Sequence, residues 1–148
     1  MDNEKTIYIE REGQYHEIRL SPNNFSIDES ELDKELCTMG RTIFEYGSLE
    51  AEANLMVGRL SSEKEKLSAI LDSQIRAEFA KIGDKATEAK ISHAIVLNEN
   101  YQTIVQTLLQ AEKSHATIKW AMVALRHKSE CLRALSFREN ASIKADRG

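Results

Sequence analysis

Apolar and polar residues alternate near the start of the chain and then recur at the three- and four-residue steps of helices. In TIYIEREGQYHEIRLS the alternation runs on both sides of Gly13, which predicts a small β-hairpin of Thr6–Glu10 with Tyr15–Leu20. Two isolated strands are marginal in water, so this hairpin must pack on the rest of the chain or on a neighbour. We expect the hairpin and its linker to occupy residues 1–24.

A helix start comes next, in the segment FSIDESELDKEL. Asp28 suits the N-cap, and Glu31 stands three residues later to complete a capping box. Ile27 and Leu32 occupy the positions of a hydrophobic staple. These local signals predict a first long helix over residues 26–82.

The apolar stripe of this helix advances by steps of three and four residues. Its members are Leu32, Leu36, Met39, Ile43, Tyr46, Ala53, Val57, Leu60, Leu67, Leu71, Ile75, Phe79 and Ile82. Gly47, Gly58 and the polar patch SSEKEK interrupt the stripe, so we expect a bend near one of them. Gly83 is a C′ candidate that ends the helix, with Asp84 or Thr87 as the cap of the next helix.

A short helix is predicted over residues 87–97 and a second long helix over residues 100–135. Steps of three and four alternate along the second long helix, as in the a/d seam of a coiled coil. The seam residues are Tyr101, Ile104, Leu108, Ala111, His115, Ile118, Met122, Leu125, Ser129 and Leu132. The tail, residues 136–148, loses the pattern, so we expect it to fray.

Two long amphipathic helices joined by a short connector are typical of an antiparallel helical hairpin. We therefore predict a mainly α protein with coiled-coil-like packing and a small N-terminal β-hairpin. A chain of 148 residues suits a single domain with a modest core, so we expect one domain over 1–148.

A second apolar stripe lies on the last helix, away from the seam. With the seam at positions a and d, the sole tryptophan, Trp120, falls at f. The neighbours of Trp120 on that side are Leu109, Ala116 and Val123. A helix that is apolar nearly all round is buried from several directions, so this stripe predicts the contact of a homo-oligomer. The alternative is that the first helix or the connector folds over Trp120 within one subunit.

A row of cations borders the same seam. Lys119, Arg126 and Arg133 are seven residues apart, which places them in line at heptad position e, while Lys128 lies at g. One interpretation is ordinary pairing with acidic residues of the facing helix. The other is that oligomerisation gathers the row into a basic surface that binds phosphates.

Charge is divided unevenly along the chain, whose net charge is −4. Residues 1–112 carry 12 Lys/Arg against 21 Asp/Glu, hence −9, whereas residues 113–148 carry 8 against 3, hence +5. This split favours a polarised molecule with one end able to meet anions, although a helix end also favours cations.

The sequence offers little sign of a membrane or of secretion. No stretch reaches the roughly 20 apolar residues that cross a bilayer, and the first residues are acidic where a signal peptide is basic. Cys37 and Cys131 make neither a disulfide framework nor a metal cluster. We therefore expect a cytoplasmic protein without membrane contact.

Motifs of catalysis are missing from the sequence. It contains no Walker-A loop, GxGxxG, HExxH or GxSxG, so we expect neither an enzyme nor a cofactor. His127 and Cys131, one helical turn apart, supply only two metal ligands, and we expect no metal site. Phe137, between Arg133 and Arg138, could stack on a base or simply pack at the C-terminal end.

The layout resembles the UvsY-type recombination mediators of bacteriophages. The likeness begins at SIDESELDKEL, which has the family's Ile-Asp-x-x-x-Leu helix start, and continues through the glycine-containing break KIGDKAT. It resumes in TEAKISHAIVLNENYQTIVQTLLQAEKSHATIKWAMVALRHKSECLRAL and so covers residues 26–136. It is a likeness of layout and spacing, with few fixed residues.

The resemblance implies a closed oligomer that binds single-stranded DNA. Such a protein helps to load a RecA-like recombinase onto strands covered by a single-stranded-DNA-binding protein. The family's DNA contacts include basic residues late in the first long helix, where this chain offers Arg76 and Lys81. Ser73, Gln74 and Glu78 stand where the family would offer a closely spaced basic pair.

Two other functions fit the same sequence. The first is a coiled-coil adaptor, scaffold or prefoldin-like chaperone without nucleic-acid binding, although prefoldins carry their β-hairpin between the helices. The second is an inhibitor of a host enzyme, which suits a small acidic protein but has no specific support. The leading hypothesis places single-stranded DNA on Lys119, Arg126 and Arg133, with Arg76 and Lys81.

Overall fold

The protein is mainly helical, and its computed structural model describes residues 5–146. Two strands, β1 (Lys5–Arg11) and β2 (Gln14–Leu20), precede three helices: α1 (Leu32–Ile82), α2 (Glu88–Leu97) and α3 (Glu99–Asp146). Single 3-10 turns lie at Pro22–Asn24 and Glu29–Glu31. None of the helices that these residues form has a segment apolar enough to traverse a bilayer.

The β-hairpin lies where the sequence predicts it, with strands slightly longer than Thr6–Glu10 and Tyr15–Leu20. β1 pairs antiparallel with β2, with Thr6 opposite Arg19 and Glu10 opposite Tyr15. The two residues of the turn, Glu12 and Gly13, both have positive φ (52° and 77°), as a type I′ turn requires. The twist of this turn matches that of the strands. The buried residues of the hairpin, Ile7, Ile9 and Leu20, share one face.

The start of α1 differs in detail from the sequence prediction. The helix begins at Leu32 and not near residue 26, because a 3-10 turn comes first. Asp28 caps that turn by accepting from Ser30 N–H at 3.0 Å. The side chain that reaches back to Asp28 N–H is that of Glu35, at 3.3 Å. Glu31, the predicted capping-box partner, pairs with Lys34 instead.

α1 continues through both glycines and the polar patch to Ile82. It ends in a Schellman motif, as the glycine predicts: Asp84 N–H donates to Phe79 O at 3.1 Å, and Gly83 N–H donates to Ala80 O at 3.3 Å. Gly83 takes the left-handed conformation, with φ 70°. Thr87 then caps α2, since its hydroxyl accepts from Lys90 N–H.

The predicted fraying of the tail is wrong over the residues that the structure describes. α3 starts one residue earlier than predicted, with Asn98 accepting from Tyr101 N–H at 3.1 Å, and runs to Asp146. The side chains from Phe137 to Asp146 are exposed. Loss of the apolar pattern therefore ends the packing and not the helix, because this segment is free of glycine and proline and contains good helix formers.

The chain divides into two compact units. Unit 1 consists of the residues up to Ala53 and those from Lys113 onward, and unit 2 is Asn54–Glu112. α1 and α3 pack together in both units. In unit 1 Glu35 lies beside Lys128, and a Cβ on Gly47 would lie 3.9 Å from Met122 Cε, so the two helices run antiparallel there.

The core of unit 1 joins the β-hairpin to the two long helices. Its buried residues are Ile7, Ile9, Leu20, Tyr46, Ala53, Ile118, Ala121, Met122 and Leu125. Two polar contacts hold the hairpin in place: Tyr8 N–H donates to Ser114 Oγ at 3.0 Å, and Arg11 forms a two-pronged pair with Glu52 at 2.6 and 2.9 Å. The strands thus gain from the helices the burial that a lone hairpin lacks.

Unit 2 has a smaller core. Its buried residues are Met56, Leu60, Leu108 and Ala111, with Val57 packed against them. Leu71 and Ile91 are also buried in this unit.

The buried seam of α3 in unit 1 is displaced from the predicted one. The buried positions that recur at alternating steps of four and three are Ser114, Ile118, Ala121, Leu125, Lys128 and Leu132. His115 and Ser129, which the sequence placed in the seam, are only half-buried. At Ser114 and Ala121 the hairpin packs on this side of α3, and at Lys128 the start of α1 does so through Glu35.

Candidate nucleic-acid interface

Three of the five predicted binding cations form an exposed row on α3 in unit 1. Lys119, Arg126 and Arg133 recur every seven residues, so their side chains leave the helix in nearly the same direction. All three are exposed. Within residues 5–146 none of them has a hydrogen-bond or ion-pair partner, which leaves the row available to an anionic ligand.

Lys128, on the other flank of the predicted seam, behaves in the opposite way. Its Nζ lies 2.6 Å from Oε2 of Glu35 on α1, and the lysine side chain is buried. Of the cations that flank the predicted seam, Lys128 therefore pairs with an acid of the facing helix, whereas the exposed row does not within residues 5–146. The two flanks differ because the seam moved toward position g, which buries Lys128 and turns position e outward.

A groove of about 350 Å³ lies along the exposed row. It is lined by Glu50, Ala116, Lys119, Trp120, Met122, Val123 and Arg126. Glu50 is the single acidic residue in this lining, against two cations. The groove thus combines positive charge with an apolar floor. Protein surfaces that bind single-stranded nucleic acid combine the same two features.

Trp120 stands between this groove and a second one. This residue is 73% exposed, so residues 5–146 of its own subunit leave most of it uncovered. The second groove, of about 290 Å³, is mostly apolar and is lined by Lys5, Leu20, Pro22, Phe25, Thr117, Trp120, Ala121 and Ala124. We refer to these as the basic groove and the apolar groove.

The other residues of the predicted oligomer contact are also exposed. Ala116 and Val123 lie in unit 1, and Leu109 lies in unit 2. Folding of the described chain over Trp120 was the alternative to an oligomer, and the observed exposure rules it out for residues 5–146. The subunit contact itself stays a prediction.

The remaining two predicted cations lie in unit 2. Arg76 is held by two carboxylates: its Nε is 2.8 Å from Asp72 Oδ2, and its Nη2 is 2.8 Å from Glu88 Oε1. Hydrogen bonds to Asp72 and then to Glu88 raise the pKa of this guanidinium further above its usual value. Lys81, in the last turn of α1, is exposed. Arg76 is thus already paired with carboxylates of its own subunit. The role of Arg76 in DNA binding stays a prediction.

The apolar groove is a feature that sequence reasoning missed. Its lining combines the end of β2 and the following turn (Leu20, Pro22, Phe25) with small residues of α3. Thr117, Ala121 and Ala124 are spaced by three and four, a small-residue run on one face of α3 that could have signalled a close approach. The identity of the approaching segment depends on the docked hairpin, which no local pattern reveals.

The second aromatic residue considered for stacking, Phe137, is exposed near the end of α3. His127 and Cys131 do come together, with Nε2 and Sγ 3.8 Å apart. Among residues 5–146 no group of three or more His, Cys, Asp and Glu side chains is arranged to hold a metal ion. Both cysteines are free thiols.

Comparison with protein-family models, with curated proteins and with solved structures finds no match to this chain. Its function is therefore inferred from the geometry of the basic groove and the residues around it.

Proposed function

We propose that this protein is a non-enzymatic, single-stranded-DNA-binding accessory protein of recombination, which helps a RecA-like recombinase to load. In this proposal the chain acts as a homo-oligomer in the cytoplasm and holds the strand on Lys119, Arg126 and Arg133. Its acidic N-terminal part faces protein partners, among them the recombinase or a single-stranded-DNA-binding protein.

One observation carries the proposal: Lys119, Arg126 and Arg133 form an exposed row beside Trp120 and have no ion-pair partner among residues 5–146. A cation without an internal partner has no ion pair to break before it meets a phosphate, and each phosphate contact releases condensed counterions. The basic groove also offers apolar surface to the bases. These features act locally, so the net charge of −4 does not oppose them at this end of the chain.

The oligomer enters the proposal through the exposed apolar residues of α3. Ala116 and Val123 in unit 1, and Leu109 in unit 2, are open to solvent. Covering such residues with identical subunits would remove apolar surface from water and repeat the cation row around the assembly. A repeated row would bind a long strand more tightly than one subunit could.

The test is a fluorescence-anisotropy titration of the full chain with a labelled single-stranded oligonucleotide at several salt concentrations. We expect binding at low salt that weakens steeply as salt rises. The variant Arg126→Ala/Arg133→Ala should bind more weakly, with a log–log salt slope shallower by about 1.4, or about 0.7 for each lost phosphate contact.

A matched control carries the same change in charge elsewhere in unit 1. Lys34 and Arg41 lie on α1, are exposed, and each already pairs with a glutamate. Lys34→Ala/Arg41→Ala should therefore bind like the wild type. Absence of any binding by the wild type at low salt, or equal weakening by the two double variants, would refute the proposal.

An adaptor or scaffold without nucleic-acid binding is the second candidate, favoured by the apolar groove beside the hairpin. Under that hypothesis the protein does not bind the oligonucleotide, and replacing the cation row changes the mass of the assembly instead. Light scattering behind a sizing column, run on the same variants, measures that mass.

A further inference from the structure

The indole of Trp120 projects from α3 between the basic groove and the apolar groove. It is 73% exposed, although burying a tryptophan is among the larger gains open to a folding chain. Lys119 and Arg126 share the basic groove with it, and neither has a partner in the part of the chain that the structure describes. An exposed indole beside these two cations suits an occupant that is both flat and anionic.

We infer that Trp120 is the base-stacking residue of this interface, with the phosphates on either side of the stacked base held by Lys119 and Arg126. The inference rests on the proposed function, which it extends by naming the residue that receives the base. The ligand is single-stranded nucleic acid, since paired bases have no free face to offer the indole.

The positions on the helix surface suit this arrangement. Lys119 and Arg126 are seven residues apart, which is about 10.5 Å along the helix axis. Trp120 leaves the helix about 100° around the axis from Lys119. Ala116 and Val123 lie between those two directions, so small side chains form the floor between the cations and the indole. A strand that follows the cations can therefore lay its bases across this floor onto the ring.

This assignment moves Trp120 from the subunit contact predicted by the sequence to the ligand. Covering the indole with a second subunit would also remove Lys119 and Arg126 from water. Glu50 is the single acid among residues 5–146 that lines the groove, and one carboxylate cannot compensate two buried positive charges. A nucleic-acid strand supplies the compensating charge itself. Ala116 and Val123, which form the floor of the basic groove, move to the ligand with Trp120. Leu109 is then the residue of the predicted subunit contact that stays available to a second copy of the chain.

The experiment uses the sole tryptophan of the full-length chain as the probe. Its emission is followed during titration with an oligothymidylate and, separately, with an abasic oligonucleotide of equal length. We expect the oligothymidylate to quench the indole and the abasic strand, which presents phosphates without bases, to quench it far less. This readout needs no substitution and so cannot be confused with misfolding.

Two variants separate stacking from apolar contact. Trp120→Leu keeps an apolar side chain, and we expect its affinity for the oligothymidylate to fall about 5- to 150-fold, the range for losing one stacked base. Trp120→Phe keeps a ring and should recover most of that loss. The salt slope should stay unchanged in both, because the cations remain, and so should the mass of the assembly.

Each contrary outcome has a distinct meaning. If the oligonucleotide binds but neither quenches the indole nor distinguishes Trp120→Leu from the wild type, the stacking role is overturned and the proposed function survives. If Trp120→Leu changes the mass of the assembly, the indole belongs to the subunit contact and the inference is wrong. If the wild type binds no oligonucleotide at all, both fall together.

Discussion

The ammonium of Lys128 lies 2.6 Å from Oε2 of Glu35 and joins α3 to α1 in unit 1. The lysine side chain is 5% exposed and that of the glutamate 18%. Oε1 of the same glutamate accepts from Asp28 N–H just before α1 begins. One carboxylate therefore connects the start of α1 both to the turn that precedes it and to the last helix.

Removing only the lysine should destabilise unit 1. Lys128→Met leaves the Glu35 carboxylate without its cation in a largely buried place, and we expect the free energy of unfolding to fall by about 3 kcal/mol. Urea unfolding at one fixed protein concentration measures the change. The double variant Lys128→Met/Glu35→Gln should recover most of the loss, because no unpaired charge remains and glutamine keeps an acceptor for Asp28 N–H. Simple additivity of the two single variants would contradict this coupling.

Ser114 should contribute through a single hydrogen bond to the hairpin. Its Oγ accepts from Tyr8 N–H at 3.0 Å, and the serine is buried. Ser114→Ala leaves that amide without an acceptor, at an expected cost of about 1–3 kcal/mol. Hydrogen exchange should show faster exchange of the Tyr8 amide. The control is Thr107→Ala, which removes an exposed hydroxyl bonded only within its own helix, and an equal effect there would refute the assignment.

Two glycines of unit 2 should respond to alanine with opposite signs. Gly83 ends α1 with φ 70°, where alanine is strained, so Gly83→Ala should cost about 1–2 kcal/mol. Gly58 lies inside α1, and a Cβ there meets nothing within 4 Å. Gly58→Ala should therefore stabilise the protein by about 0.5–1 kcal/mol. Thermal unfolding compares the two variants at equal protein concentration. Shifts of the melting temperature with the same sign in both variants would contradict the prediction.

Asp28 should make the start of α1 sensitive to acid. The hydroxyl of Ser30 and then its N–H donate to the carboxylate and lower the pKa of Asp28 below its ordinary 3.8. Because the pKa is lower in the folded state, this stabilisation is complete above the unfolded value and is lost as the pH falls through the folded one.

The variant Asp28→Ala measures how the stabilisation by Asp28 depends on pH. The wild type should exceed the variant in stability at neutral pH, and the difference should shrink on acidification below about pH 4. Asp28→Asn keeps a capping oxygen but does not titrate, so it separates the charge from the cap. A difference between wild type and Asp28→Ala that stays constant throughout an acid titration would count against the assignment.

Arg76 and Arg126 should differ in their effect on DNA binding. Arg76 already donates to Asp72 and Glu88, whereas Arg126 has no partner among residues 5–146. We expect Arg76→Ala to weaken binding of a single-stranded oligonucleotide less than about twofold and Arg126→Ala to weaken it several-fold. Anisotropy titrations at one salt concentration compare them. Equal weakening would mean that the ligand displaces the two carboxylates from Arg76.

Features that depend on a few neighbouring residues could be read from the sequence. The position of the hairpin and the Gly83 stop match their predictions, and Thr87 is the cap of α2 among the two predicted candidates. Turns and helix ends are decided by backbone conformation and by side chains within a few positions. The alternating three- and four-residue steps also placed both long helices. The exposure of Trp120 agrees with its position opposite the predicted seam.

The tertiary structure alone decided which side of α3 is buried and what surrounds the exposed row. Ser114 and Tyr8 are 106 residues apart in sequence, and their contact brings the hairpin onto one flank of α3. The docked hairpin completes the apolar groove beside Trp120, and the start of α1 takes Lys128 into a buried pair with Glu35. Lys119 and Arg126 stay exposed. A periodic apolar stripe predicts that a helix has an apolar face. It does not predict where the edges of the buried face lie, since the segment that packs on the helix sets those edges.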